Sequence, residues 1–396
     1  MANSVFNLSN LNGTNGFAIN GINERDRSGK SVSSAGDING DGFDDLIIGA
    51  RSARPNGEYS GQSYVVFGSQ KSFGAQFNLS TLNGTNGFAI NGNNQLGRSV
   101  SSAGDINGDG LDEVIIGAPE PSYVVFGSKK GFDASFDAST LNGTSGFAIN
   151  GVNDFYNSDI SVSSAGDING DGLDDLIIGA YYASPNGSRS GQSYVVFGNR
   201  APVLDLNGNS SGIDFSTTFS GTPVSILDSD FTLSDNKTTL AGATITITNL
   251  LNGAGETLNA TAIGNITATY NPTTGTLSLR GTDTIANYRQ VLNSVTYNTT
   301  ATTVNTTIEF VVDDGQAPLN TSAVTTTTLG FIQKFITGTT SADILIGTRN
   351  NNIIEGKAGN DKLTGNGGRD KFIFRPGDGI DTITDFGGVG KLTSCT

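Results

Sequence analysis

Histidine and tryptophan are absent from this 396-residue chain, and cysteine and methionine occur once each. Without histidine there is no imidazole to act as a general base, to ligate zinc or to complete a Ser-His-Asp triad. The one cysteine, Cys395, has no second thiol with which to form an intramolecular disulfide. No apolar run approaches the ~18 residues that a membrane-spanning helix requires, so membrane insertion is not expected. The start, Met1 to Phe6, lacks the basic and apolar regions of an N-terminal secretory signal. Charge is sparse, at 15% of residues, and skewed, with 22 Lys and Arg against 37 Asp and Glu for a formal net charge of −15. That balance works against phosphate backbones and anionic membrane surfaces and favours cations or basic partners, so nucleic acid is not an expected partner.

Glycine, by contrast, is abundant, with 55 residues, alongside much Asn, Ser and Thr. Such a chain favours turns and strands over helices, and its length suggests about two or three domains. The most informative segment is Gly36-Asp37-Ile38-Asn39-Gly40-Asp41-Gly42, which recurs letter for letter at Gly104 to Gly110 and at Gly166 to Gly172. Oxygen-bearing side chains fall on alternate positions, a glycine follows where the chain must turn, and another carboxylate stands four residues after the last aspartate. Calcium takes 6–8 oxygens at roughly 2.3–2.6 Å, and a short loop of this pattern can supply them. The expected ligands of the first loop are Asp37, Asn39, Asp41, the Phe43 carbonyl and Asp45. In the third they are Asp167, Asn169, Asp171, the Leu173 carbonyl and Asp175. The second carries Asp105, Asn107, Asp109 and the Leu111 carbonyl, with the longer Glu113 in the ninth position, and is expected to be weaker. Ile48, Ile116 and Ile178 stand at position twelve, where an EF-hand has its glutamate. The plain alternative is an Asx-rich turn that binds nothing.

The repeat extends well beyond the loop. Leu11 to Gly21 returns at Leu82 to Gly92 and nearly so at Leu141 to Gly151, and the loop starts Gly36, Gly104 and Gly166 lie 68 and 62 residues apart. Four short runs per unit, in the first Gly16–Asn20, Lys30–Ser34, Asp45–Gly49 and Gln62–Phe67, read as one four-stranded propeller blade. These units resemble the FG-GAP repeats of integrin α-subunit propellers. Phe67-Gly68, Phe126-Gly127 and Phe197-Gly198 match the first element of that motif. Gly117-Ala118-Pro119 matches the second in full, whereas Gly49-Ala50 and Gly179-Ala180 lack the proline. The resemblance covers residues 1–199, as repeats at about 5–68, 75–127 and 134–198. It implies a β-propeller, but propellers of the family close with about seven blades. Three blades therefore form a shortened propeller, close through self-association as a homo-oligomer, or adopt a compact three-unit arrangement.

From Ala201 to about Leu329 the composition shifts to threonine and β-branched residues. Strand candidates Ala243–Leu250, Asn265–Tyr270, Thr276–Arg280, Ser294–Tyr297 and Thr306–Val312, with no helical period, suggest a β-sandwich over residues 200–330. Through Asp228-Ser229-Asp230, Thr232-Leu233-Ser234-Asp235 and Val311-Val312-Asp313-Asp314-Gly315 the zone resembles cadherin-like or immunoglobulin-like modules. The resemblance implies interdomain calcium at these acidic clusters; solvated turns are the favoured reading of the residues themselves.

Gly338, Gly347, Gly356 and Gly365 are nine residues apart, with Asp343, Asn352, Asp361 and Asp370 at the sixth position of each nonad and Leu345, Ile354, Leu363 and Phe372 at the eighth. A nine-residue period of this kind describes a parallel β-roll whose turns bind Ca²⁺ between coils, with Asp343, Asp361 and Asp370 as candidate ligands. It resembles the RTX, or haemolysin-type, repeat. The run Phe374 to Phe386 resembles the segment that follows such repeats in proteins exported by type I secretion, which implies an uncleaved C-terminal signal within residues 336–386. Lys391 to Thr396 departs from the usual aliphatic, acidic ending.

The expected fold is therefore all-β: three FG-GAP propeller-type blades, a β-sandwich and a short parallel β-roll. The expected function is that of a calcium-binding bacterial protein, extracellular or on the cell surface, non-enzymatic, with an adhesion or interaction role toward a protein or carbohydrate. The alternative is a secreted, glycosidase-like hydrolase bearing these modules as accessory domains.

Overall fold

The computed structural model describes residues 5–151, 160–250, 255–299, 305–317, 319–331, 334–348, 351–367 and 370–385. Cys395, the Lys391 to Thr396 ending and Phe386 lie outside them. The chain divides into two compact units, Met1–Arg200 and Ala201–Thr396.

The first unit is a row of antiparallel sheets whose strands are β1 (Ala18–Asn20), β2 (Ser31–Gly36), β3 (Asp45–Ala50), β4 (Gln62–Val66), β5 (Gln76–Asn78), β6 (Gly87–Asn91), β7 (Ser99–Gly104), β8 (Glu113–Gly117), β9 (Ser122–Val125), β10 (Ser135–Asp137), β11 (Gly146–Ile149), β12 (Ile160–Gly166), β13 (Asp175–Ala180) and β14 (Gln192–Val196). Strand order is β2-β3-β4-β6-β10 in the first sheet, β7-β8-β9-β11 in the second and β12-β13-β14 in the third, with β1 and β5 as a separate parallel pair. This corrects the expected blade. The run that opens each repeat does not join the three strands that follow it. In the second and third repeats it is the outer strand of the preceding blade, β6 lying antiparallel on β4 and β11 on β9, and in the first it is β1, set apart with β5. The repeated sequence and the sheet are out of phase by one strand.

The middle strands read Leu-Ile-Ile and Val-Ile-Ile because both faces are buried, the pattern of a strand between two packed layers. Ile47 belongs to a cluster shared with Val100, Val114 and Ile116 of the next blade, while its neighbour Ile48 packs with Tyr64, Val66 and Leu79 on the other face.

In the second unit, Phe215–Phe219, Thr325–Phe331, Thr306–Asp313, Thr239–Ile247, Thr276–Thr284 and Thr267–Asn271 form one sheet in that order. Val224–Ser225, Thr296–Thr299 and Glu256–Asn259 form another. Thr306–Asp313 alternates strictly, with Thr306, Ile308, Phe310 and Val312 inward. Together with Leu258 and Tyr297 of the smaller sheet, the three apolar ones build a shared core. A helix, Ile285–Asn293, contradicts the expectation of no helical period. Thr284 caps it by accepting from the Asn287 N–H, and Tyr288, Val291 and Leu292 form its buried stripe.

After the sandwich the chain coils. Lys334–Thr337, Asn352–Glu355 and Lys371–Ile373 stack in parallel, as do Ile344–Ile346, Lys362–Thr364 and Thr382–Ile383. Each coil is two nonads, so Ile336 stands over Ile354 and Ile354 over Phe372. Ile354, Leu363 and Phe372, all eighth-position residues, fill the interior with Ile336, Leu345 and Ile383 packed around them.

Candidate metal sites

Each glycine-aspartate loop lies between the inner two strands of a blade and is knotted by its own carboxylates. Asp37 accepts on Oδ1 from the Gly40 and Asp41 N–H groups at 2.8 and 3.0 Å and on Oδ2 from the Gly42 N–H at 2.9 Å. Asn39 Oδ1 accepts from the Asp41 N–H at 2.8 Å, and Asp41 Oδ1 from the Phe43 N–H at 2.9 Å. The second and third loops repeat this pattern through Asp105, Asn107 and Asp109 and through Asp167, Asn169 and Asp171. Position seven, Phe43, Leu111 or Leu173, is thus held through its N–H.

The ninth position places a carboxyl fully inside the blade in all three loops. Asp45, Glu113 and Asp175 have no exposed surface. Asp45 accepts on Oδ2 from the Ile38 N–H and on Oδ1 from the Gly68 N–H, at 3.1 and 2.7 Å. Glu113 reaches the equivalent donors, Ile106 and Gly127, and its extra methylene also lets Oε1 accept from the Asn107 side chain at 3.1 Å. Burial pushes the Asp45 carboxyl up to about 7, with Asp41 and Asp37 adding to the rise against the two N–H donors. Burial likewise pushes Glu113 up to about 9, Asp109 and Asp105 adding to it. The first two loops therefore place a desolvated carboxylate within the field of two others, and a carboxylate has about four lone-pair sites, more than these N–H groups use. That donor chemistry fits a hard divalent cation. Among the described residues, no group of three or more acidic side chains is already gathered into a finished cage.

The nonapeptide coils use their sixth-position side chains differently. Asp361 Oδ1 accepts from the Asp343 N–H one coil earlier at 2.8 Å and Asp370 Oδ1 from the Asn352 N–H at 2.9 Å; Asp381, which is not a sixth-position residue, accepts from the Asp361 N–H at 3.0 Å. Asp343 Oδ2 instead accepts from the Thr339 N–H, which holds its carboxyl below the usual range, whereas burial raises that of Asp370. Asp361 is buried, and its Oδ2 has no hydrogen-bond partner. A Cβ on Gly356 would lie 2.2 Å from that oxygen, so the glycine keeps the space beside it open. An orphaned carboxylate oxygen facing a glycine-lined turn is what a calcium ion between coils would satisfy. In the acidic clusters of the sandwich three residues cap turns: Asp228 accepts from the Ser229 N–H, Asp313 from Gly315 and Asp314 from Gln316. Asp230 instead accepts from the Asn209 N–H and side chain, and Asp235 Oδ2 is buried without a hydrogen-bond partner.

A family model described as FG-GAP repeat matches residues 28–66, 96–131 and 160–196. Three FG-GAP repeats thus lie within the first unit. A second, the RTX calcium-binding nonapeptide repeat in four copies, matches residues 337–372, so Ca²⁺ is the ion of the coils. The chain is 30% identical over 197 residues to Integrin alpha pat-2 of Caenorhabditis elegans, covering 46% of this chain and 15% of that one. It is 30% identical over 156 residues to Integrin alpha-4 of Xenopus laevis, covering 37% and 14%. Phosphatidylinositol-glycan-specific phospholipase D of Bos taurus is 29% identical over 178 residues, covering 42% and 20%. The chain thus spans a fifth or less of the length of these relatives.

The FG-GAP motif has a local physical cause. The glycine of Phe-Gly donates to the ninth-position carboxylate, and a Cβ at Gly68 would lie 2.5 Å from the Asp44 carbonyl oxygen. Sequence reasoning passed over the eighth position of the loop. Asp112 reaches back one repeat to accept from the Asp37 N–H at 2.9 Å, and Asp174 does the same for Asp105 at 3.0 Å. The signal was an aspartate at position eight in all three copies, Asp44, Asp112 and Asp174.

Proposed function

We propose that this is a calcium-stabilised adhesion or interaction protein that works outside the cell or on its surface without catalysing a reaction. The crowding of Asp45 with Asp37 and Asp41, repeated around Glu113, carries the reading. Bound calcium supplies the positive charge that offsets this crowding. In each FG-GAP loop the ligands are the side chains at positions one, three, five and nine and the carbonyl at seven. In the coils they are Asp343, Asp361 and Asp370. The chain's own residues pre-shape every loop through backbone N–H bonds and leave carboxylate lone pairs unused. At low calcium the first- and fifth-position carboxylates stand unneutralised, burial favours the protonated form of Asp45 and Glu113, and both repeat regions loosen. At extracellular-module affinities, roughly 10⁻⁴–10⁻³ M, the loops fill after export. Export through a type I system, read from the segment after the coils, is consistent with that order of events. The organisation proposed is 1–199 for the blades, 200–330 for a cadherin-like or immunoglobulin-like sandwich and 336–386 for the roll and signal. The partner is a protein or carbohydrate surface, supported by the similarity to integrin α chains.

The test is retention of the whole chain on arrays of extracellular glycans and matrix proteins in millimolar calcium and in EDTA. Retention in calcium alone supports the proposal, and retention indifferent to calcium sinks it. The similarity to phospholipase D supports a second reading, as accessory modules of a hydrolase; release of product from those arrays would favour it.

A further inference from the structure

Three nearly identical repeats permit an internal comparison, because the same residue can be followed from a blade with neighbours on both sides to one at an end of the row. Val32, Val100 and Val162 occupy one position. Val100 and Val162 are 4% and 5% exposed, each packed against the preceding blade, whereas Val32 is 64% exposed. At the other end of the row the relation reverses. Ile38 and Ile106 are 0% and 3% exposed beneath the following blade, and Ile168 is 56% exposed. The leading and trailing faces are thus two halves of one contact that the chain makes internally twice.

The sheets show the same incompleteness. β4 and β14 have the same sequence, Gln-Ser-Tyr-Val-Val, yet β4 is almost wholly buried and β14 largely is not. The difference is the outer strand. β6 covers β4 with the register Val66↔Gly87, Val65↔Phe88, Tyr64↔Ala89, Ser63↔Ile90 and Gln62↔Asn91, and β11 covers β9 in the corresponding register, with Tyr123↔Ala148. Among the described residues β14 has β13 on one side and no strand on the other. At the far end, β1 has the sequence of an outer strand and, among the described residues, is paired only with β5, in parallel, as β6 is paired with β10. One strand without a blade and one blade without its strand stand at opposite ends of the row.

We propose that a second copy of this chain completes the third blade, its Gly16–Asn20 segment adding antiparallel to β14 so that the junction between copies reproduces the junctions within each copy. The register is fixed by the two internal cases: Val196 opposite Gly16, Val195 opposite Phe17, Tyr194 opposite Ala18, Ser193 opposite Ile19 and Gln192 opposite Asn20. Two further contacts fall in the same junction. Asp44 of the incoming copy takes the Asp167 N–H, as Asp112 takes that of Asp37 and Asp174 that of Asp105. The Val32 N–H meets Ser161 Oγ, as Val100 meets Ser31 and Val162 meets Ser99. Strand addition satisfies the open ladder of an edge strand and buries the exposed valine and isoleucine together. The contact is heterologous, so copies join head to tail. The proposal stands independently of any adhesive role.

Light scattering after size exclusion in millimolar calcium is expected to give at least twice the 40.8 kDa of one chain. Removal of residues 1–21 is expected to return the mass to that of one chain. Because that deletion also unpairs β5, strand register is tested separately in the full-length chain on a Cys395→Ser background. A mixture of Ala18→Cys and Tyr194→Cys chains is expected to form an inter-chain disulfide at least about tenfold faster than Ala18→Cys with Val195→Cys, whose side chain points to the other face. A wild-type monomer at every concentration tested overturns the proposal, as does an oligomer that survives the deletion with no preference between the two cysteine pairs. A disulfide formed within one chain carrying both Ala18→Cys and Tyr194→Cys overturns the second copy as occupant.

Discussion

The blades and the coils solve one problem, tying a repeat to its neighbour through a carboxylate, in two ways. In the blades the tasks are divided. Asp112 and Asp174 reach the backbone of the preceding loop, while Asp37, Asn39, Asp41 and Asp45 belong to the candidate cation loop itself. In the coils one residue does both, Asp361 Oδ1 holding the Asp343 N–H while Oδ2 faces the turn unpaired. Division of labour leaves the blades hydrogen-bonded whatever the cation does. A shared carboxylate makes the coils depend on it.

Chelation is the strongest way to break this comparison. With affinities of roughly 10⁻⁴–10⁻³ M, 10 mM calcium stabilises by about 1.4–2.7 kcal/mol for each filled site, so transfer to EDTA costs several kcal/mol in sum. Hydrogen exchange read segment by segment should show Lys334–Ile383 losing protection first and Ser31–Val196 retaining more of it. Equal loss in both regions would remove the distinction drawn above.

A glycine substitution sharpens it at the next scale. Gly68→Ala puts a Cβ 2.5 Å from a backbone oxygen that has no way to yield without moving the strand, whereas the Cβ of Gly356→Ala meets the far end of the Asp361 side chain. Overpacking at Gly68 is expected to cost about 1–3 kcal/mol in calcium and in EDTA alike. Gly356→Ala is expected to cost most of its stability only in calcium, by closing the space beside Oδ2. Thermal unfolding in the two buffers separates them, and a calcium-dependent loss at Gly68 would contradict the assignment.

How much of this was visible in the sequence follows from the same residues. The loops and the coils were legible because repetition aligns Asp37 with Asp105 and Asp167, and Asp361 with Asp370, in chemically readable spacings. The phase of the blade was not, since a period states that Gly16–Asn20 and Gly87–Asn91 are equivalent without stating which neighbour each pairs with. Only the register of β6 on β4 decides that. The helix at Ile285–Asn293 was missed for a different reason. Its stripe of Tyr288, Val291 and Leu292 has helical spacing, but two of these are weak helix formers and the segment is short, so its stability comes from the sandwich core. Asp112 was hidden because its partner lies 75 residues away, beyond any local pattern.

The smallest effect, at Asp44, is the control that isolates the tie itself. Asp112→Ala leaves the Asp37 N–H without its acceptor in a half-buried junction, and the loss of a hydrogen bond to a charged group is expected to cost about 1.5–3 kcal/mol in calcium or EDTA. Asp44→Ala removes the same residue type at the same loop position, but Asp44 is exposed on the leading blade, so at concentrations too dilute for association its cost should be near zero. Asp361→Ala should combine both kinds of loss and lose more in calcium than in EDTA. Chemical denaturation of the three variants in the two buffers tests the set. If Asp112→Ala showed the calcium dependence expected of Asp361→Ala, the tie and the cation site would be one device in the blades as well as in the coils.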